Sequence, residues 1–157
     1  MPDENIKRAA QEYLAERLNE DGLTQEQKLN RDAAIELAPQ VWREVVLTAV
    51  GICKEWNAET KEETFSCNET PLGDLRIRCA GRPQQIVVHY DSRRRLIHIE
   101  NTARLDHEPK VILSIEAYPT EAGRGARLMR NSEPVNLPML LLGHMRVLAG
   151  MSRKAQS

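Results

Sequence analysis

Two histidines and two glutamates in the second half of the chain are the residues best suited to acid–base or metal chemistry. His89, His98, Glu100 and Glu116 lie in segments whose apolar residues recur at every second position. Histidine changes charge near neutral pH, and two histidines with a carboxylate can bind a divalent metal. The HxH and HExxH spacings of common metal sites are absent from the sequence. We therefore predict no catalytic set, no metal and no other cofactor at these residues.

Two arginines near these histidines indicate a different kind of site. Arg76 and Arg78 alternate with apolar residues, as His89 and His98 do, so all four should share one face of a sheet. A guanidinium group binds carboxylates and phosphates through paired N–H groups. The four residues could therefore form an anion or small-ligand site. The simpler alternative is a solvated polar sheet face.

The predicted turns suggest how these side chains are arranged across the strands. A hairpin that closes over residues 81–84 places Arg76 directly opposite His89. One that closes over residues 92–95 places His89 opposite His98, whereas a tighter turn there would make the two histidines diagonal neighbours. In either case the two histidines share a face.

A further set of arginines lies in or near predicted turns. They are Arg93, Arg94 and Arg95 at a hairpin tip, and Arg124, Arg127 and Arg130 around the last strand. Such residues can contact phosphates, as β-ribbons do in a DNA groove, but solvated charges also protect sheet edges from aggregation. The net charge of −1 and the aromatic content of 4% disfavour nucleic acid as a partner. Phosphate binding through these arginines is therefore the alternative prediction.

The three cysteines offer little support for catalysis. Cys53, Cys67 and Cys79 form no CxxC pair, and their odd number argues against a disulfide framework. Cys53 lies on an apolar helical stripe and Cys79 alternates with core residues, so we predict that both are buried. Cys67, near a strand end, is the most exposable thiol. With no nucleophile motif such as GxSxG, the sequence favours a protein that is not an enzyme.

The elements that position these residues follow from a change of period near Thr64. Apolar residues recur every three or four positions before it and every second position from there to about Arg130. Residues 1–62 contain 8 Lys and Arg against 13 Asp and Glu, whereas residues 63–157 contain 14 against 10. The acidic half is thus predicted to be helical and the basic half to be mainly a sheet.

We predict an α+β fold with two N-terminal helices, an antiparallel β-meander of five to six strands and one C-terminal apolar helix. The helices should pack on one sheet face. The predicted strands are residues 63–67, 74–80, 85–91, 95–101, 111–118 and 126–130, with Gly123-Arg124-Gly125 as a hairpin turn. The connection 102–109 is either a functional loop or a wide turn. We expect residues 1–150 to form a single domain and residues 151–157 to form a flexible tail.

Helix ends are signalled by capping residues. Asp3 can cap the first helix and Gly22 can end it, while Thr24 begins a capping box for the second. Pro39 is expected to kink or break that second helix. The last helix, from Asn136 to Gly150, is apolar almost all round, which predicts burial inside the domain or at a subunit interface.

Together these features favour a non-enzymatic binding or assembly module that uses the outer sheet face. That face also carries Val87, Leu96 and Ile112, which is more apolar surface than a sheet face exposed only to water usually has. The partner would be a second copy in a homodimer, an unidentified protein or a small ligand. The alternatives are a nucleic-acid or phosphate-binding module using the arginine-rich hairpins, and a small-molecule-binding protein or enzyme using His89 and His98.

The chain carries no sign of membrane targeting. Its first residues lack the apolar region of a signal peptide. The longest apolar stretch, residues 137–151, is interrupted by His144 and Arg146. We therefore expect a cytoplasmic protein without a membrane partner.

Overall fold

The fold is that of a computed structural model, which describes residues 3–21, 24–103 and 110–151. Its three helices are α1 (Glu4–Asp21), α2 (Gln25–Thr60) and α3 (Leu137–Leu148). The predicted helix stop at Gly22, most of the predicted connection (104–109) and residues 152–157 of the predicted tail lie outside the described residues. Two helices thus precede the sheet and one follows it, as predicted.

Helix α2 begins at the predicted capping box. The Thr24 hydroxyl accepts a hydrogen bond from the Gln27 N–H (3.1 Å), and the Gln27 side chain accepts one from the Thr24 N–H (2.9 Å). The helix then continues through Pro39 for a total of 36 residues, so the predicted break does not occur. Proline removes one backbone hydrogen bond, but Ala38 and Val41 on either side of it are buried in the core and hold the helix together.

Seven antiparallel strands form one sheet in which each strand pairs with its neighbours in the chain. They are β1 (Phe65–Glu69), β2 (Asp74–Cys79), β3 (Gln85–Asp91), β4 (Leu96–Asn101), β5 (Lys110–Thr120), β6 (Gly123–Arg130) and β7 (Glu133–Pro134). The predicted α+β meander is confirmed, with seven strands instead of five to six. Strand β7 has only two residues, which is too short to produce a periodic signal.

The hairpin between β5 and β6 turns earlier than predicted. Thr120 pairs with Gly123, so Gly123-Arg124-Gly125 belongs to β6 and the prediction of a turn at these residues is wrong. Gly123 has φ +135°, a conformation that glycine adopts easily. At Gly125 an added Cβ would lie 2.9 Å from the Tyr118 ring. Both glycines therefore have a role within β6: Gly123 adopts a positive φ, and Gly125 leaves room for the Tyr118 ring. Glycine within a strand often marks such a close approach of another group.

The core lies between one sheet face and the helices α2 and α3. The alternate residues predicted to share this face are buried: Leu75, Ile77, Ile86, Val88, Ile97, Ile99, Val111, Leu113 and Ile115. Helix α2 contributes Val45, Ala49 and Cys53, and α3 contributes Leu141, Met145 and Leu148. The helices thus pack on one face, as predicted, and the opposite face is called the outer face below.

Helix α3 has well-formed ends but only one buried side. The Asn136 side chain accepts a hydrogen bond from the Met139 N–H (3.2 Å), and Gly150 (φ +79°) forms a Schellman-type end. Met139 and Leu142 remain 69% and 36% exposed. The prediction that the whole helix is buried inside the domain is therefore wrong. Its burial at a subunit interface stays a prediction. Among the described residues, no helix is both long and apolar enough to cross a bilayer.

Candidate functional site

The six residues predicted to bind a ligand all lie on the outer face of the sheet. They are Arg76 and Arg78 on β2, His89 on β3, His98 and Glu100 on β4, and Glu116 on β5. Each alternates with buried residues of its own strand, such as Ile77 and Ile99, and successive side chains of a strand point to opposite faces. The face was therefore predicted correctly, but the residues spread over four strands.

A row of side chains crosses the centre of this face. Asp74 pairs with His89, His89 with His98, and His98 with Ile112, so the predicted opposition of the two histidines is confirmed. Their rings lie 6.2 Å apart between centroids. The Nδ1 atom of His89 is hydrogen-bonded to a carboxylate oxygen of Asp74. We call these four residues the histidine row.

The predicted pairing of Arg76 with His89 is wrong, because Arg76 pairs with Val87. The link between β2 and β3 is longer than predicted: Arg78 pairs with Gln85, which leaves residues 79–84 outside the β2–β3 pairing. The Ala80 N–H is bound to the Thr64 carbonyl (2.8 Å) on the β1 side, so it does not extend the β2–β3 pairing. Asp74, two residues earlier on the same face, takes the place opposite His89.

The two histidines have different environments. His98 is half-buried, and burial, with the nearby positive charge of Lys110, lowers its pKa from the ordinary value of 6.5. His89 is exposed and its ring is held by the Asp74 carboxylate. The lowered pKa makes the uncharged form of His98 dominant at neutral pH, so its ring offers one donor and one acceptor to a ligand. The His89 ring has its Nε2 atom left for a ligand, because its Nδ1 atom is bonded to Asp74.

Arg76 and Arg78 form a separate part of the outer face, at the β1 side of the sheet. Across the strands they face neutral residues: Asn68 and Val87 beside Arg76, and Ser66 and Gln85 beside Arg78. The acidic residue of β2, Asp74, is bonded to His89. Among the described residues, no carboxylate oxygen lies within 4.0 Å of either guanidinium group, and the buried Nε of Arg76 has no hydrogen-bond partner. We call Arg76 and Arg78 the arginine pair.

The two glutamates do not complete the histidine row. Glu100 lies opposite Val87 on one side and Lys110 on the other. Glu116 lies opposite Arg127 and accepts a hydrogen bond from the Ser114 hydroxyl (2.8 Å). The two carboxylates therefore lie at different places on the face.

The arginines of the alternative phosphate site point in different directions. Arg93, Arg94 and Arg95 lie in the β3–β4 turn, where the Asp91 carboxylate accepts from two backbone N–H groups (3.2 Å each). On β6, Arg127 stacks on Tyr118 at 4.6 Å on the outer face. Arg124 and Arg130 fall on the opposite, helix-facing side with buried Leu128. Arg124 there donates to the Asn30 side chain of α2 (2.6 Å). The six arginines thus do not form one ridge.

The thiols are arranged as predicted. Cys53 and Cys79 are buried and Cys67 is half-buried, and all three are free. A hydrogen bond between the Cys53 and Cys67 thiols, together with burial, raises the pKa of Cys67 above its usual range. Burial likewise raises the pKa of Cys79. A raised pKa lowers the thiolate fraction and with it the reactivity of both groups.

A buried polar contact that the sequence analysis missed joins the sheet to α3. The Asn101 amide, which is fully buried, donates to the carbonyl oxygen of His144 (3.0 Å) and lies 3.3 Å from its Nδ1 atom. The Asn101 carbonyl accepts from the Ala103 N–H (3.0 Å). The only signals in the sequence were a polar residue in a core register of β4 and a histidine in an apolar helix. The contact fixes α3 against the sheet.

Two searches bear on what this face can bind. Over residues 3–21, 24–103 and 110–151, no group of three or more histidine, cysteine, aspartate or glutamate side chains is placed to hold a metal ion. Comparison of the chain with protein-family models, with curated proteins and with solved structures finds no match. The function is therefore inferred from the residues of the face alone.

Proposed function

We propose that the protein is a non-enzymatic binding module that uses the outer sheet face to hold an acidic partner. The arginine pair provides the recognition, and the carboxylates of the partner are its targets. The observation that carries this proposal is the Nε–H of Arg76, which is buried against the sheet and has no hydrogen-bond partner among the described residues.

Such an arrangement is unfavourable until an anion binds. A buried donor without an acceptor costs about 1–3 kcal/mol. A carboxylate lying beside Arg76 and Arg78 would form charge-assisted hydrogen bonds with their guanidinium groups, and such bonds are about twice as strong as neutral ones. It would satisfy the Arg76 Nε–H once that side chain turns toward the partner. Ser66, Asn68 and Gln85, which flank the pair, add neutral donors and bring no negative charge.

The rest of the outer face supports contact with a protein surface. Ile112, at one end of the histidine row, is 50% exposed in the middle of a polar face. A central apolar contact with polar groups around it is the usual composition of a protein interface. The histidine row, which crosses the centre of the face and ends at Ile112, would then lie within this contact.

Binding of a labelled hexaglutamate peptide, followed by fluorescence anisotropy at low ionic strength, tests this proposal. The double variant Arg76→Gln, Arg78→Gln should bind at least tenfold more weakly than the unchanged protein, because two guanidinium contacts are removed. The matched control is Arg93→Gln, Arg94→Gln, which removes the same charge from the β3–β4 turn. Equal binding by the Arg76 and Arg78 variant, or loss of binding only in the turn variant, contradicts the proposal.

A further inference from the structure

Helix α1 presents an apolar stripe that no described residue of its own chain covers. Every described side chain from Glu4 to Arg17 is exposed. Ile6, Tyr13 and Leu14 are 69%, 62% and 54% exposed, and their spacing of seven and eight residues places them on one side of the helix. The stripe is about 12 Å long at 1.5 Å per residue.

A groove of matching length lies between α2 and α3. It has a volume of about 490 Å³ and is lined mainly by Ile52, Trp56, Pro138, Met139 and Leu142. Along α2 it extends over residues 52–60, which is also about 12 Å. Its walls are fixed, because Trp56 packs edge-on against Phe65 at 4.9 Å and α3 is held by the Asn101 contact.

The α1 helix of the same chain cannot reach this groove. Ile52 lies 27 residues along α2 from Gln25, a distance of about 40 Å. Folding back along α2, Ile6 reaches at most about 36 Å from Gln25, even if residues 21–25 are fully extended. Leu14 reaches only about 25 Å. If α1 lies along this groove, it must therefore come from another molecule.

The charges at the two surfaces agree with this pairing. Glu55 and Glu59 are exposed at the groove and one helical turn apart. Arg17 continues the α1 stripe three residues beyond Leu14, and Lys7 adjoins Ile6 at the other end. The stripe thus bears one cation in line with its apolar residues, Arg17, whereas Asp3 precedes Ile6 by three residues at the other end. The receiving groove bears two carboxylates, so the charge contrast lies at the Arg17 end. Opposite charges around an apolar contact favour one partner over others.

We propose that α1 of one copy docks into the α2–α3 groove of a second copy, so that two chains exchange helices in a symmetric dimer. Two-fold symmetry forms the contact twice. Each docked helix then has to supply only about half of the roughly 1,600 Å² that a stable interface buries. This surface is separate from the outer sheet face and does not depend on the function proposed above.

Light scattering on the full chain at about 5–200 µM tests the dimer, since weak association would show as a mass rising with concentration. The unchanged protein should be dimeric, whereas Tyr13→Asp in the helix and Leu142→Arg in the groove should each be monomeric. Both side chains are exposed, so neither change should unfold the chain. The matched control is Leu72→Asp, at an apolar residue 84% exposed in the β1–β2 turn, which should leave the dimer intact.

Mixing the two monomeric variants tests the docking mode itself. A Tyr13→Asp chain keeps an intact groove and a Leu142→Arg chain keeps an intact helix, so one of the two contacts can form in the mixture. At about 200 µM the mixture should therefore associate more weakly than the unchanged protein but measurably more than either variant alone. The charge reversals Arg17→Glu and Glu59→Lys should each weaken the dimer, and their combination should restore it. A monomeric unchanged protein, or a dimer unaffected by Tyr13→Asp, would overturn the proposal, as would a mixture that stays monomeric.

Discussion

Replacing Asn101 by alanine should destabilise the fold by about 3 kcal/mol. The side chain is fully buried and takes part in three short polar contacts, two with His144 and one with the Ala103 N–H. Each hydrogen bond contributes about 1 kcal/mol net, and the half-buried Ala103 N–H also loses its acceptor. A range of about 2–4 kcal/mol follows.

Urea unfolding followed by far-ultraviolet circular dichroism measures this loss. With a slope of about 2 kcal/mol per molar urea, the midpoint should fall by about 1.5 M. Asn68→Ala is the control, because Asn68 is exposed on β1 and its loss should change stability by less than about 0.5 kcal/mol. Hydrogen exchange in α3 should also accelerate in the Asn101 variant. A midpoint shift below about 0.5 M with an unchanged slope would refute the assigned role of Asn101.

Three further changes test other parts of the structure. Lys110→Gln should raise the pKa of His98 toward 6.5 in an NMR titration, because Lys110 is the second cause of its lowering after burial. Since the folded state holds this proton less tightly than the unfolded state, stability should decline as pH falls from about 6.5 toward the lowered value; an unshifted His98 resonance contradicts both statements. Gly125→Ala should displace the Tyr118 ring and lower stability by about 1 kcal/mol, so an unchanged unfolding midpoint counts against the close contact. Thr24→Ala removes the α2 cap and should lower stability by about 1 kcal/mol, or the melting temperature by about 3 °C, and equal melting curves would show that the cap contributes nothing.

The face of each sheet residue could be predicted because burial repeats with the pleat. Ile77 and Val88 had to point to the core, so Arg76 and His89 had to point outward. Local spacing was also enough to place His89 and His98 on one face. It left two arrangements open there, and the turn at residues 92–95 selects direct opposition.

Pairings that depend on loop conformation or on distant contacts could not be predicted in this way. Arg76 has a different partner from the predicted one, because the Ala80 N–H bonds to the Thr64 carbonyl and the β2–β3 link is longer. The Asn101 contact spans 43 residues, and no local pattern records it. Arg124 was placed in a turn, whereas it bonds to a helix residue 94 positions away. In each case the deciding contact joins residues far apart in the sequence, whereas the apolar repeat reports only on residues a few positions apart.

The Nε–H resonance of Arg76 gives the most direct measurement of the proposed function. In a ¹H–¹⁵N NMR titration of the full chain with hexaglutamate peptide, this resonance and the backbone amides of β2 should shift together and saturate at a single dissociation constant. Added salt should weaken the binding, since the contact is between charges. Shifts confined to the β3–β4 turn, or no shift of the Arg76 resonance at saturating peptide, would contradict recognition of an acidic partner by the arginine pair.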